Sequence, residues 1–316
     1  MKAIVLEAFG GVENLKMKEV PTPKPASGEV LIHIVYTAVN PVDWKIRLGL
    51  LEKRVPHEFP IIPGWDAAGT IAAVGQGVTS FKIGDEVFAY CRKPTVKWGT
   101  YAEYVTVPAN TVAFKPKNLS FAQAAALPLA GLMGWQALFD AAQLKNGETI
   151  LIHAAAGGVG SLAVQFAKWA GAVVYATASK EKFDYVKKLG ADLVIDYKNE
   201  DFVTKVKEKH PQGIDVVFDT IGGQTTQESY NALKNGGRLV GIVDPPSPQI
   251  AEQYGVTATY VFVSPNGKQL QQISELIQKG KVAPIQIVEM PLEKAGEAQE
   301  KNREGHMTGK IVLKVD

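Results

Sequence analysis

The stretch Thr149-Ile150-Leu151-Ile152-His153-Ala154-Ala155-Ala156-Gly157-Gly158-Val159-Gly160-Ser161-Leu162-Ala163-Val164 decides how the chain is read. A short apolar run rich in β-branched residues predicts a strand, small residues follow as a turn, and a helical pattern begins at Gly158. Strand, glycine turn and helix in that order bring exposed amides and the positive end of a helix dipole to one point. Such a point holds a pyrophosphate, provided no side chain blocks its approach. Ala156, Gly157, Gly158 and Val159 line that approach, and Gly160 lets the helix lie close on the strand. Ala155 stands where the first glycine of the G-x-G-x-x-G spacing falls, so the motif taken alone equally admits a βα turn that binds nothing.

Working outward, apolar runs alternate with helical segments. Strand 149–153 leads to helix 158–170, strand 173–177, helix 180–189, strand 193–195, helix 201–208, strand 214–219, helix 224–234, strand 238–242 and a further strand over 257–263. That rhythm predicts a doubly wound parallel sheet of the α/β class. Upstream of about residue 119 the texture changes to short β-like runs broken by Pro and Gly, at 29–39, 68–74, 86–90 and 101–107. Downstream of Pro265 come one amphipathic helix over 268–279, a strand-turn region and a β-like segment over 309–315. The tail shares the texture of the first third, which predicts a discontinuous first domain, 1–122 with 264–316, around a second domain, 123–263.

Composition narrows the function classes. The chain has 316 residues, 46% of them hydrophobic and 21% charged, enough for about two domains. A formal charge of +2 with dispersed lysines and arginines points away from nucleic acid and from acidic membranes. Cys91 is the only cysteine and Glu7 cuts short the first apolar run, which together predict a cytoplasmic protein that is not exported. The most apolar stretch, 124–135, is broken by Pro128 and two glycines and falls well below the roughly 20 residues that span a bilayer.

The end of the second strand chooses between dinucleotides. NAD-binding folds place an acid about 20 residues beyond the glycines, where it accepts from the adenosine ribose. Here Thr177 takes that place, followed by Ser179 and Lys182. Hydroxyls with an ammonium suit the 2′-phosphate of NADPH, which a carboxylate would repel. Ser179 capping the next helix beside solvated lysines is the competing reading. Glu181 falls within the predicted helix, which discounts it as the ribose acid.

The opening Met1-Lys2-Ala3, Asn40-Pro41-Val42-Asp43, Pro63-Gly64-Trp65-Asp66-Ala67-Ala68-Gly69, Gly84-Asp85-Glu86-Val87, Gly99-Thr100-Tyr101-Ala102-Glu103-Tyr104, the 155–160 turn and Gly309-Lys310-Ile311-Val312-Leu313 together resemble the medium-chain dehydrogenase/reductase superfamily, in its zinc-independent quinone oxidoreductase, ζ-crystallin-like branch. The resemblance covers essentially the whole chain. It implies a GroES-like, mostly β catalytic domain, a Rossmann domain, and a cleft between them for nicotinamide and substrate. It also implies coenzyme contacts from Tyr197 near the ribose phosphate and from Ile221, Gly241, Ile242 and Val243 near the nicotinamide. In relatives the last Rossmann strand pairs with its copy in a second subunit, which implies a homodimer.

Zinc-dependent members of the superfamily hold the metal with Cys, a His-Glu pair and another Cys. Asn40 stands at the first position and Trp65-Asp66 at the second, so no zinc is expected. Without a Lewis acid, acceptors that are already electron-poor become the expected substrates: a quinone, or alternatively the C=C bond of an enal or enone. A non-catalytic NADPH-binding protein is a further alternative. Asn40 is the candidate polar contact near the reacting groups, its competing reading being a turn residue before Pro41. Asp43 and Arg47, one helical turn apart, are assigned support roles and could pair with each other. Lys45 stands where some relatives carry a tyrosine, which leaves the proton donor unassigned. His153 and His210 have no partners at ligand spacing and are read as structural.

Overall fold

Alternating apolar residues fold the first third of the chain into short strands, and the computed structural model describes all residues 1–316. The strands are β1 (Lys2–Leu6), β2 (Leu15–Glu19), β3 (Glu29–Ala38), β4 (His57–Ile62), β5 (Asp66–Val74), β6 (Glu86–Tyr90), β7 (Val96–Trp98), β8 (Tyr104–Pro108) and β9 (Val112–Phe114). Helices α1 (Pro41–Arg47), α2 (Phe121–Ala125) and α3 (Pro128–Trp135) interrupt and follow them.

The second unit then supplies β10 (Thr149–Ile152), α4 (Gly158–Trp169), β11 (Val173–Ala178), α5 (Phe183–Lys188), β12 (Leu193–Asp196), α6 (Phe202–Lys209), β13 (Ile214–Asp219), α7 (Gln224–Ser229), β14 (Leu233–Gly241), α8 (Pro248–Gln253) and β15 (Thr257–Tyr260). Its sheet is parallel throughout, in the order β12-β11-β10-β13-β14-β15. That order reverses direction between β10 and β13, and the carboxyl ends flanking such a reversal are where open α/β sheets bind ligands.

The chain returns through α9 (Gly267–Gln278), β16 (Ile287–Pro291), α10 (Ala295–Glu304) and β17 (Lys310–Lys314). β17 joins the sheet that began near the N-terminus, giving the order β16-β17-β3-β5-β6-β9 with β8 paired to β3. Two registers fix the end of β3. Ala38 lies opposite both Asp66 of β5 and Val312 of β17. The loop after β3 is thereby brought beside the first residues of two strands distant in sequence.

Chain contacts divide the protein into one unit of Met1–Leu132, Ser264–Lys279 and Pro284–Asp316, and a second of Met133–Val263 with Gly280–Ala283. The first unit thus runs to Leu132 rather than stopping at 122. The reason is local: α2 packs on β3, β5 and β17, and the Leu129 amide donates to Asp66 Oδ1 at 2.7 Å.

Elsewhere the elements depart from periodicity for identifiable causes. The helix expected to reach 234 ends at Ser229, because Leu233 opens β14 by pairing with Ile214 and Gly236 takes φ +75°. The helix expected over 180–189 begins as a 3₁₀ turn, Lys180–Lys182. β15 ends at Tyr260, although the Val261 amide still donates to the Gly241 carbonyl at 2.9 Å. α10, which lies where only strand and turn were expected, buries small Ala295 and Ala298 and so carries little apolar signal.

Candidate coenzyme and catalytic sites

At the carboxyl end of β10 the glycine turn is built to a tolerance of about one atom. An added Cβ on Gly160 would stand 2.4 Å from the Ala154 carbonyl oxygen and 2.7 Å from Ala155 Cα, so the close approach of α4 to the turn excludes any side chain there. Gly157, the residue before α4, is extended at φ −77°, and its Cβ would make only a 3.4 Å contact. Backbone geometry therefore does not require glycine at 157, and what a side chain there would change is the approach to the helix N-terminus. A cradle that a Cβ would fill, at the start of a twelve-residue helix, fits a pyrophosphate.

Thr177 has a different role from the one its position suggested. Its hydroxyl accepts from the Ala154 amide at 3.2 Å and lies 3.2 Å from His153 Nδ1, while its carbonyl accepts from the Ala155 amide at 3.0 Å. These bonds hold Ala154 at φ +49°, a left-handed conformation that costs a non-glycine residue energy. Thr177 thus shapes the turn instead of facing outward. His153 is buried and bridges to Ser229 Oγ at 3.1 Å. Burial pushes its pKa down to about 4, so the ring is neutral and serves structure.

Ser179 is buried at the end of β11 and makes no capping bond with its side chain. Its hydroxyl instead donates to the Glu181 carboxylate, which together with two lysines holds that carboxyl below its ordinary pKa. Lys182 is partly exposed beside it, and burial lowers its pKa. The second of these lysines, Lys198, absent from the sequence-based set, stands 3.8 Å from Glu181 Oε1. The pairing of Ala178 with Asp196 explains why: the two strand ends are level, so residues 179–182 and 197–198 share one edge. Tyr197 is 54% exposed there. Asp196, the one acid at the end of β12, is buried and turned into its own loop, accepting from the Lys198 amide at 3.2 Å and from Asn199 Nδ2 at 2.7 Å.

Across the sheet, Asp219 of β13 lies opposite Gly241 of β14. The Asp219 carboxylate accepts from the Ile221 amide at 2.8 Å, the Gly222 amide at 3.1 Å and the Thr226 hydroxyl, and its carbonyl accepts from the Ile242 amide at 3.2 Å. Thr220 Oγ1 donates to the His153 carbonyl at 2.9 Å, tying this loop to the glycine turn. Ile221 is left 48% exposed, with Val243 half-buried next to it. The sheet order thus sets Ser179, Lys182 and Tyr197 on one side of the turn and Ile221, Gly241, Ile242 and Val243 on the other.

The first unit contains a buried polar cluster. Asn40 and Asp43 are no more than 1% exposed. Asn40 Nδ2 donates to Asp66 Oδ2 at 2.7 Å, the Lys310 ammonium donates to Asn40 Oδ1, and Asp43 Oδ2 accepts from the Asn40 amide at 2.8 Å and from the Tyr101 hydroxyl at 3.1 Å. Lys310 also stands 3.7 Å from Asp66. Burial raises both carboxyls, Asp43 to about 7 with Asp66 adding to the effect, while burial lowers Lys310. Asp43 Oδ1 has no hydrogen-bond partner.

Asn40 therefore spends its amide inside this cluster and is no simple turn residue. Asp43 and Arg47 do not pair. Arg47 is buried against Gln299 Oε1 at 2.8 Å, the Gly10 carbonyl at 2.9 Å and the Glu300 carboxylate. No three His, Cys, Asp or Glu side chains gather in a geometry that would hold a metal ion.

Two family models match the chain: an alcohol dehydrogenase GroES-like domain over residues 26–117 and a zinc-binding dehydrogenase domain over 189–313. A chloroplastic NADPH-dependent alkenal/one oxidoreductase of Arabidopsis thaliana is 37% identical over 99% of this chain and 79% of its own. A chloroplast envelope quinone oxidoreductase homolog from the same plant is 36% identical over 99% of this chain and 98% of its own. The chain belongs to the medium-chain dehydrogenase/reductase superfamily, in its quinone oxidoreductase branch. Among solved structures of that superfamily, the quinone oxidoreductase from Coxiella burnetii superposes with a TM-score of 0.90 at 35% identity, covering 100% of this chain and 99% of that one. The superfamily's two parts, a GroES-like domain and a Rossmann sheet, are the two folds described above.

Proposed function

We propose that the protein is an NADPH-dependent, zinc-independent reductase whose acceptor is a quinone. The observation that carries this reading is the end of β11, where the level ends of β11 and β12 bring buried Ser179, Lys182 and Lys198 to one edge, and the strand itself ends without an acid. That set gives a 2′-phosphate both donors and positive charge. Bound NADPH supplies a hydride. The chain's own part is to seat the pyrophosphate on the α4 amides, to anchor the ribose phosphate at 179–198, and to present the 221 and 241–243 backbone to the nicotinamide end.

Asn40 and Asp43 act in this reading as positioning residues. Lys310 and Asp66 hold the Asn40 amide rigid, and Asp43 fixes the start of α1 through the Asn40 amide. Neither of them reaches open surface, so the proton that completes reduction comes from water. The positions where zinc-dependent relatives carry metal ligands hold Asn40, Trp65 and Asp66, and the one thiol, Cys91, is buried and pushed up in pKa. A hard electrophile such as a simple ketone would lack its Lewis acid, whereas a quinone accepts hydride without one.

Reduction of the C=C bond of an enal or enone is the second reading, favoured by the alkenal/one oxidoreductase relative. Steady-state kinetics with a panel of quinones and alkenals separates the two. High kcat/KM for quinones with little turnover of alkenals supports the first reading, and the reverse order replaces it with the second. Failure to oxidise NADPH with any acceptor, despite tight binding, would leave a binding protein.

The edge strand β15 suits pairing with a second copy of the chain, and a homodimer is part of this proposal. No helix is long and apolar enough to cross a membrane. The proposed compartment is the cytoplasm, on the single-cysteine composition. Light scattering and cell fractionation test these two points.

A further inference from the structure

Where the 2′-phosphate of NADPH is proposed to sit, the chain already holds an anion of its own. The Glu181 carboxylate takes the hydroxyl of buried Ser179 and lies 3.8 Å from the Lys198 ammonium, with Lys182 close enough to feel both charges. Ser179 has little freedom to find another acceptor, being 4% exposed at the end of a paired strand. The Lys198 backbone is held by its amide, which donates to the Asp196 carboxylate at 3.2 Å, while its side chain is half exposed. Glu181 itself is an exposed side chain on a short 3₁₀ turn and is free to swing away. Buried Ser179 is thus the fixed member of the group, and the exposed acid is free to leave it.

We propose that Glu181 is an internal stand-in for the adenosine 2′-phosphate, occupying its donors until NADPH displaces it, and that Lys198 is a further anchor for that phosphate. The inference rests on the NADPH reading above. It sets the strength of discrimination: the carboxylate competes with a 2′-phosphate, which must evict it, but not with a 2′-hydroxyl, which can donate to it. Glu181 therefore narrows the preference for NADPH over NADH below what Ser179, Lys182 and Lys198 alone would give. Competition between like charges at an exposed site is screened by salt within about 10 Å at ordinary ionic strength, so the effect shrinks as salt rises.

Calorimetric titration of the purified chain with NADPH, NADH and adenosine 2′,5′-bisphosphate, in wild type, Glu181→Gln and Lys198→Gln, tests this. Removing an exposed competing charge should tighten NADPH and the bisphosphate about three- to fivefold, with NADH unchanged or weaker. Lys198→Gln should weaken both phosphate-bearing ligands by a similar factor and spare NADH. If Glu181→Gln leaves the NADPH-to-NADH ratio of Kd unchanged, or raises it, while the wild type still prefers NADPH, the stand-in is overturned and the NADPH assignment survives. If the wild type binds NADH as tightly as NADPH and ignores the bisphosphate, the NADPH assignment fails and takes the stand-in with it.

Discussion

Replacing Gly160 by alanine tests the coenzyme turn at its tightest point. The new Cβ would lie 2.4 Å from the Ala154 carbonyl oxygen and 2.7 Å from Ala155 Cα, and both obstacles are backbone. Restoring ordinary contact requires the turn and α4 to separate by about 1 Å, and overpacking of this kind costs about 1–3 kcal/mol. Alanine recovers up to about 1 kcal/mol of helix propensity, less in the first turn, so the net loss is about 1–2 kcal/mol. For a protein of this size that is a fall in Tm of about 2–4 °C per kcal/mol. The same displacement draws the α4 amides away from the pyrophosphate, and losing one charge-assisted bond worth about 1.5–3 kcal/mol raises Kd tenfold or more.

Gly157→Ala is the control, since its Cβ would make only a 3.4 Å contact. Calorimetric melting and NADPH titration on both variants should show Tm and affinity falling together for Gly160→Ala, and affinity alone falling for Gly157→Ala. A Gly160→Ala protein that melts no lower than wild type and binds NADPH equally well would refute the reasoning.

Two further predictions come from the first unit. Asp43, with a folded pKa of about 7 against an ordinary 3.8, contributes stability that is present below pH 3.8 and lost as pH rises through 7; a shift of that size corresponds to at most about 4 kcal/mol. Urea midpoints at pH 5 and pH 8 should therefore converge in Asp43→Asn relative to wild type, and an unchanged difference would remove Asp43 as the cause. Arg47→Met strips the partners from Gln299, Gly10 and Glu300 and should cost about 3–5 kcal/mol by urea unfolding, whereas a loss below about 1 kcal/mol would show that the cluster relaxes without it.

The parallel sheet was legible because each of its strands is a short apolar run and each crossover helix has its own period, both local signals. Where local signals conflict the reading slipped. Tyr230-Asn231-Ala232-Leu233-Lys234 continues a helical pattern, but Leu233 is claimed by Ile214 across the sheet. Ser179, Lys182 and Tyr197 fall at one edge and Ile221, Gly241, Ile242 and Val243 at the other because the βα order fixes which strand ends meet. Lys198 escaped notice since its place beside Glu181 depends on the level pairing of β11 and β12. The Asn40–Lys310 contact spans 270 residues and the Arg47–Gln299 contact 252, and no pattern in a single sequence couples such positions. Spacing puts Thr177 where the ribose acid falls and gives its hydroxyl to the 2′-phosphate, but which way that hydroxyl points is decided by His153 and the Ala154 amide.

The central claim is a metal-free site that prefers the phosphorylated dinucleotide, and one kinetic comparison reaches it directly: initial rates of quinone reduction by chelator-treated protein with NADPH and with NADH. The account predicts undiminished turnover after chelation and a kcat/KM for NADPH several times that for NADH. Activity that vanishes with the chelator and returns with zinc, or rates that favour NADH, would contradict it.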